Sequence, residues 1–390
     1  MIKTAITQRL AGTGGAKWEV HFKGRALAEA GADVIELSIG EPDVPPPEEL
    51  LQAATDAMWQ GRTKYAPGEG ELGLREALAE RYTKSTGRAI HRDHVLCFPG
   101  TQTSLYIVMM GVAETGCEVL VGDPMYATYE GVIRASGAEV VPVPLRPENG
   151  FRMNAEDLAA KVTDKTTAIL LTTPHNPSGA ILTTEDIKAI GRVAIDNDLW
   201  IVSDEVYEDF VYEAGTFSSP LAMPELADRV IVVSSISKSH AAPGFRSGWS
   251  IGPVEFNEAL LALSETMLFG NQPFIADMTE KAIREGSSVV EGMRTRFEAR
   301  ASRLQSRLES GGALKVHKPE AGMFALIDVS STGMTAHQYA LHLLEHAQVV
   351  VMPGSSFGES LNDWVRVALT VDDERFDTAC DRIVAHANGL

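Results

Sequence analysis

The chain contains a series of short apolar runs, rich in valine and isoleucine, that end in small or polar residues. They include Glu118–Gly122, Thr167–Thr172, Leu199–Ser203 and Arg229–Ser234. Runs without polar alternation are typical of strands buried on both faces. Segments with helical periodicity, such as Thr184–Asn197, lie between them. This pattern predicts an α/β fold built on a mostly parallel sheet.

The hydrophobic pattern changes after residue 286, where a predicted helical stretch leads to short strands separated by helices. These strands are predicted at Met323–Asp328, Val349–Met352 and Trp364–Leu369. The length of 390 residues exceeds what one hydrophobic core usually organises. We therefore predict three parts: an N-terminal arm that packs with the small domain (residues 1–44), a large domain with helices on both faces of the sheet (residues 45–286), and a smaller α+β domain (residues 287–390).

Charge and cysteine usage exclude several classes of function. Lys and Arg total 34 against 53 Asp and Glu, and the net charge of −19 opposes binding to nucleic acid or to an anionic membrane. The three cysteines, Cys97, Cys117 and Cys380, form no CxxC pattern, so neither a disulfide framework nor a structural zinc site is expected. The first ten residues lack the apolar block of a signal peptide, and a cytoplasmic location is predicted.

Two motif matches are interpreted as structural. Residues 68–73 match the dinucleotide-binding pattern GxGxxG, but Thr63–Pro67 before them makes a poor strand, so a Rossmann site is not favoured. His342–His346 matches the zinc-protease pattern HxxEH. Its neighbours are those of an ordinary amphipathic helix and no third ligand is evident, so no metal is predicted.

Chemically distinctive side chains follow the predicted strands. They are Asn176, Asp204, Tyr207, Lys238, Tyr126 and the turn of residues 98–102 that begins a helix. In open α/β sheets, ligands bind outside the carboxyl ends of the strands. Each residue alone could be a turn residue, a helix cap or a core aromatic. Six at successive strand ends favour a single site.

Pyridoxal phosphate catalysis requires this combination of groups. A lysine forms an imine with the aldehyde, an acid keeps the pyridine nitrogen protonated, and the phosphate needs backbone N–H groups and an arginine. Lys238, Asp204, the turn Gly100–Gln102 and Arg246 supply these groups.

The segment Ser235–Lys238, followed by Arg246, resembles the signature of the class I/II aminotransferases, which are fold-type I pyridoxal phosphate enzymes. Further family motifs occur in the same order at Gly40–Asp43, Lys64–Gly68, Asn176–Gly179, Asp204–Tyr207, Gly354–Gly358 and Trp364–Arg366. The resemblance covers most of the chain. It implies an aminotransferase that uses pyridoxal 5'-phosphate, acts on an amino-acid donor and a keto-acid acceptor, and forms a homodimer with shared active sites.

The resemblance also implies a role for each matched residue. Lys238 is similar to the Schiff-base lysine that moves a proton between the substrate Cα and the cofactor C4′. Asp204 is similar to the partner of the pyridine nitrogen. The other cofactor contacts implied are Asn176 and Tyr207 to the phenolic oxygen, Tyr126 to the ring face, and Gly100, Thr101, Gln102, Ser235, Ser237, Arg246 and a neighbouring subunit's Tyr65 to the phosphate.

Substrate contacts are implied in the same way. Arg366 resembles the arginine that binds the substrate α-carboxylate, a task suited to a planar guanidinium. Asn176 is expected to assist Arg366, and Gly40 to present its backbone to the substrate.

The donor is less clearly indicated. Some dicarboxylate-specific relatives carry a lysine where Gln102 stands, which argues against aspartate or glutamate as donor. Residues 16–21, 124–129, 142–151 and 237–242 are most similar to the arginine:pyruvate transaminase branch. For a cationic donor side chain, Glu19 and Asp43 are the candidate acids, although both could be ordinary surface carboxylates.

Two alternatives remain open on the sequence. The same fold and cofactor could serve a β-lyase, an amino-acid oxidase or a cyclase, because fold does not choose the reaction. An aminotransferase-like ligand sensor would normally carry a basic DNA-binding domain, which the net charge of −19 makes the less expected of the two.

Overall fold

A computed structural model describes residues 4–13, 15–312 and 314–390, and its strands fall close to the apolar runs. The strands are β1 Ile35–Glu36, β2 Val95–Phe98, β3 Glu118–Asp123, β4 Glu139–Pro144, β5 Thr166–Thr172, β6 Trp200–Asp204, β7 Val230–Ser235, β8 Gly248–Ile251, β9 Lys315–His317, β10 Phe324–Asp328, β11 Val349–Val350, β12 Met352–Pro353 and β13 Trp364–Ala368.

Helices separate most of these strands. They are α1 Ala5–Arg9, α2 Glu19–Glu29, α3 Glu48–Trp59, α4 Leu72–Thr86, α5 Thr101–Val112, α6 Tyr129–Ser136, α7 Ala155–Ala159, α8 Thr184–Asp196, α9 Val254–Met267, α10 Pro273–Glu285, α11 Val290–Ser310, α12 Ala336–Ala347 and α13 Asp373–Asn388. Local capping explains several of the limits. Thr183, for example, begins α8 with a capping box, because its hydroxyl accepts from the Asp186 amide while the Asp186 carboxylate accepts from the Thr183 amide.

The main sheet has the strand order β2-β8-β7-β6-β5-β3-β4. Neighbouring strands are parallel except β8, which is antiparallel to both β2 and β7. The prediction of a mostly parallel α/β sheet is therefore confirmed. Because β2, β3, β5, β6 and β7 all run in one direction, the residues that follow them meet along one edge of the sheet.

Both faces of the main sheet are covered by helices. One apolar cluster joins Leu78 of α4, Ile190 of α8 and Met278 of α10 to the sheet. A second, on the other face, includes Val108 of α5 and Leu260 of α9. Burying a side chain of this size stabilises the fold by about 1.5–3 kcal/mol. Strands covered on both sides explain why their sequences lack polar alternation.

The C-terminal part of the chain forms a separate antiparallel sheet with the order β12-β13-β10-β9, packed with α11, α12 and α13. Arg366 lies in β13, opposite Leu326 of β10 and Met352 of β12. Strand β1 pairs in parallel with β11 and so links the N-terminal segment to this part. The predicted domain limits at residues 44 and 286 stay a prediction.

The two motif matches lie outside the main cleft. Thr63–Pro67, before the GxGxxG match, contains no strand. His342 and His346 lie on α12, and their rings stack with centroids 3.9 Å apart. In the described part of the chain, we find no cluster of three or more His, Cys, Asp or Glu side chains suited to a metal ion. None of the described helices is long and apolar enough to cross a membrane.

Candidate active site

A cavity of about 340 Å³ lies at the carboxyl edge of the main sheet and extends to the C-terminal sheet. Of the residues predicted from the sequence, those that line it are Gly40, Thr101, Gln102, Tyr126, Asn176, Asp204, Tyr207, Ser235, Ser237, Lys238, Arg246 and Arg366. Ligand pockets usually occupy this position in open α/β folds and have volumes of a few hundred Å³. The sequence-predicted groups are thus brought together in one place.

Lys238 projects into the cavity from the loop that follows β7. Its Nζ donates to the carbonyl of Gly40 at 2.8 Å. Burial lowers the pKa of the Lys238 amine to about 8, with the charge of Glu41 acting in the opposite direction. A lowered pKa leaves part of the amine neutral near pH 7, as a nucleophile or base requires.

Asp204 ends β6 at the cavity floor, and the residue is buried, with 4% of its surface exposed. Burial raises its pKa to about 6. Tyr129 Oη donates to Asp204 Oδ2 at 2.7 Å, and Thr172 Oγ1 donates to Tyr129 Oη at 2.8 Å. The Val206 amide donates to Oδ1 at 3.2 Å. A cation beside this carboxylate would stabilise its charged form, because opposite charges favour ionisation.

The turn between β2 and α5 forms an anion cradle at a helix N-terminus. Gly100 has φ +89°, and a Cβ there would lie 2.1 Å from Nη2 of Arg246. A Cβ on Gly248 would lie 2.7 Å from the amide nitrogen of Thr101, so both positions require glycine. The Thr101 hydroxyl is buried without a hydrogen-bond partner. Free amides, an arginine and an unsatisfied hydroxyl fit a phosphate group.

Aromatic and amide side chains line the middle of the cavity. Tyr126 packs edge-on against Tyr129, with ring centroids 5.5 Å apart. Tyr207 and Asn176 are both buried. Burial raises the pKa of the Tyr207 hydroxyl, and Arg366 and Asn176 act in the opposite direction. Tyr207 therefore stays protonated and can donate a hydrogen bond to an anionic oxygen.

Arg366 is the buried cation on the side of the C-terminal sheet. Its guanidinium lies between two rings, with Cζ 3.9 Å from the Phe324 centroid and 4.5 Å from the Phe357 centroid. Nη1 donates to Oδ1 of Asn176 at 3.0 Å and Nη2 to the carbonyl of Ser38 at 2.6 Å, while Nε is buried without a partner. Burial lowers the pKa of Arg366 to about 10. A buried cation with spare donor capacity suits an incoming carboxylate.

Three predicted residues lie elsewhere. Tyr65 is 87% exposed and contacts Phe269 at the surface, outside the cavity of its own chain. The hypothesis that Asp43 meets a cationic substrate is wrong, because its buried carboxylate is bound by Arg296 and Arg300 at 2.8–2.9 Å. Glu19 pairs with Lys23 at 2.8 Å and lines a different cavity.

Sequence reasoning missed several lining residues: Trp18, Glu41, Tyr129, Thr172 and Phe324. Tyr129 lies three residues after Tyr126, in the same segment that follows β3, and this proximity could have flagged it. Glu41 stands inside a recognised motif, next to Gly40. Phe324 had no such signal, because only the antiparallel pairing of β10 with β13 brings it to Arg366.

A mostly parallel sheet with a lysine, an acid and an anion cradle at its carboxyl edge defines a pyridoxal phosphate enzyme of fold type I. Residues 32–383 match the family model described as aminotransferase class I and II. The chain belongs to this family and is a transaminase that depends on pyridoxal 5'-phosphate.

Individual relatives extend the comparison over the whole chain. Arginine–pyruvate transaminase AruH of Pseudomonas aeruginosa is 39% identical over 385 residues, covering 99% of this chain and 98% of the relative. Aromatic-amino-acid aminotransferase 2 of Thermococcus litoralis is 33% identical, covering 92% of each chain. The solved Thermus thermophilus aspartate aminotransferase with maleate has a TM-score of 0.93 at 30% identity, covering 99% and 100% of the two chains.

Proposed function

We propose that this aminotransferase transfers the amino group of a cationic or other non-dicarboxylic L-amino acid, with arginine as the leading donor, to a keto acid such as pyruvate or 2-oxoglutarate. The proposal is supported by the charged side chains that line the cavity. Its described cations are Lys238, Arg246 and Arg366. Once Lys238 and Arg246 serve the cofactor, Arg366 alone remains for the α-carboxylate, and the described lining of the cavity offers no second cation to a distal carboxylate. The similarity to AruH supports the same donor.

The side chains have complementary tasks around the cofactor. When bound, pyridoxal phosphate supplies a conjugated ring that accepts the electron pair left behind as the donor's Cα–H bond breaks. Lys238 Nζ removes the proton at Cα, and its pKa of about 8 suits a base that works near neutral pH. Asp204 would hold the ring nitrogen in its protonated form. Thr101 and Arg246 would hold the phosphate, while Tyr126 would cover the ring face.

The substrate is oriented by Arg366 and by the N-terminal segment, which lie on different sides of the cavity. Arg366 binds the donor's α-carboxylate, and Asn176 fixes the guanidinium through Nη1. Ser38 and Gly40 contribute carbonyl groups that contact Arg366 and Lys238. The N-terminal segment therefore touches both the carboxylate-binding arginine and the catalytic lysine, and it helps to exclude water from the reacting Cα.

A donor panel tests the proposal. The purified holoenzyme is mixed with arginine, alanine, phenylalanine, aspartate and glutamate in turn, and the visible absorption of the bound cofactor is followed before and after addition of pyruvate or 2-oxoglutarate. We expect kcat/KM for arginine to exceed that for aspartate or glutamate by at least about tenfold, since a carboxylate without a partner loses affinity. Aspartate or glutamate as the best donor would contradict the proposal. Absorbance that a donor removes and no keto acid restores would indicate a β-lyase, oxidase or cyclase.

We also propose a homodimer in which Tyr65 reaches the phosphate site of the neighbouring subunit. Tyr65 and Phe269 lie side by side, with ring centroids 5.6 Å apart and exposures of 87% and 71%. Adjacent exposed aromatic rings are typical of interfaces. In a dimer, this exposed surface would pack against a second copy of the chain, and Tyr65 of one subunit would reach the phosphate-binding turn of the other.

Mixed variants test the shared site. Tyr65→Ala leaves its own Lys238 intact, and Lys238→Ala leaves its own Tyr65 intact, so a hybrid dimer has one complete site. Mixing the two variants under conditions of subunit exchange is expected to restore roughly a quarter of wild-type activity, because half of the random dimers are hybrids with one good site. Mixing Lys238→Ala with Asp204→Asn serves as the control, since both groups come from one chain and no complete site forms. Equal behaviour of the two mixtures contradicts the proposal.

A further inference from the structure

The cavity contains a carboxylate that the proposed mechanism does not use. Among the described lining residues, only Asp204 and Glu41 are acidic. Asp204 lies at the floor, where Tyr129 and Val206 bind it. Glu41 is exposed on the side formed by the N-terminal segment. Of the two acids, Glu41 is therefore the one available to a substrate side chain.

The backbone that carries Glu41 is fixed on both sides. Arg366 Nη2 donates to the Ser38 carbonyl at 2.6 Å, and Lys238 Nζ donates to the Gly40 carbonyl at 2.8 Å. Beyond it, Arg296 and Arg300 bind the carboxylate of Asp43. Because the backbone at Glu41 is fixed, only the side chain itself must be ordered when it binds a ligand, and less ordering entropy opposes the contact.

The Glu41 carboxylate is also available for a new contact. Within the described ranges, no side chain or amide forms a hydrogen bond or ion pair with it, whereas Asp43 and Glu19 have cationic partners. Its charge nevertheless acts on Lys238, whose pKa it raises against the effect of burial. Glu41 is therefore close enough to Lys238 to act on it electrostatically, while its carboxylate oxygens stay available to a substrate.

We propose that Glu41 binds the cationic end of the donor's side chain while Arg366 binds its α-carboxylate. This inference rests on the proposed function. Arg366 contacts Ser38, and Ser38 and Glu41 are three residues apart, which an extended chain spans in about 10 Å at most. A long side chain ending in a guanidinium or ammonium group bridges such a distance. Donors of the arginine and lysine type are thereby selected over short neutral ones.

The test compares donors in the holoenzyme. In Glu41→Gln, the ratio of kcat/KM for arginine to that for alanine is expected to fall about 10- to 100-fold, because a charge-assisted contact is lost. Glu41→Asp keeps the charge and is expected to retain part of the preference. Glu19→Gln is the matched control and keeps the wild-type ratio, since Glu19 lies in a different cavity. An unchanged ratio in Glu41→Gln, or an equal loss with every donor, would overturn the proposal.

A second readout needs no turnover. Binding of 5-guanidinopentanoate, which is arginine without its α-amino group, is compared with binding of pentanoate by the change in the cofactor's visible absorption. The wild type is expected to prefer the guanidino acid about tenfold or more, and Glu41→Gln to lose that preference. A wild type that shows no preference for arginine or its analogue would overturn both the proposed donor and this role. A preference that survives in Glu41→Gln overturns only the role of Glu41.

Discussion

Lys238→Ala is expected to lower the rate of transamination by at least about 10⁴-fold. A general base alone contributes up to about 10⁴-fold, and the covalent role of the amine is lost as well. No other amine can take over this role, because Lys238 is the one lysine among the described lining residues of the cavity. Its Nζ is held there by the Gly40 carbonyl. Single-turnover kinetics with excess donor measure the loss, and the visible absorption of the cofactor reports separately whether it still binds.

Two further variants make this result specific. Lys238→Arg retains a cation but cannot release a proton near neutral pH, so it is expected to be as inactive as Lys238→Ala. Lys188→Ala removes an exposed lysine paired with Glu185 at 2.9 Å and is expected to leave activity unchanged. More than about 1% of wild-type activity in Lys238→Ala would contradict the assignment of the base.

The sequence predicts the main sheet well because burial on both faces gives its strands a distinctive composition. The runs at residues 118–122, 167–172, 199–203 and 229–234 coincide with β3, β5, β6 and β7 to within a few residues. Strand β8 was not predicted. It is only four residues long and includes Gly248 and Ser250, so no apolar run identifies it. Its antiparallel insertion depends on pairing with β2 and β7, which is a tertiary property.

The candidate site also has a part that the sequence could predict and a part that depends on tertiary contacts. Residues at or just beyond strand ends, such as Asp204 and Lys238, could be placed in one cleft because parallel strands end at a common edge. The environment of Arg366 could not be predicted, since Phe324 and Phe357 reach it from different parts of the C-terminal region. The ion pairs of Asp43 were equally hidden, because Arg296 and Arg300 lie more than 250 positions later in the chain.

Asp204→Asn is expected to lower kcat/KM by about 10²- to 10⁴-fold. The amide has nearly the shape of the carboxylate, and its oxygen can still accept the hydrogen bond from Tyr129. It carries no negative charge, however, and a buried ion pair that loses one partner costs about 3–5 kcal/mol, which corresponds to this range in rate. Steady-state kinetics with a fixed donor and keto acid measure the effect, and a loss below about tenfold would contradict an ion pair with the ring nitrogen.

Tyr129→Phe separates the charge of Asp204 from the hydrogen bond that supports it. Tyr129 donates to the carboxylate at 2.7 Å, and a donor to the charged form lowers a carboxyl pKa. Removing the hydroxyl therefore raises the Asp204 pKa, so activity that needs the ionised carboxylate should be lost at a higher pH on the acidic side. We expect about a tenfold smaller kcat/KM near neutral pH and an acidic limb displaced toward neutrality. An acidic limb at the wild-type pH would show that Tyr129 supports only the packing of α6, because a structural role leaves the titration of Asp204 unchanged.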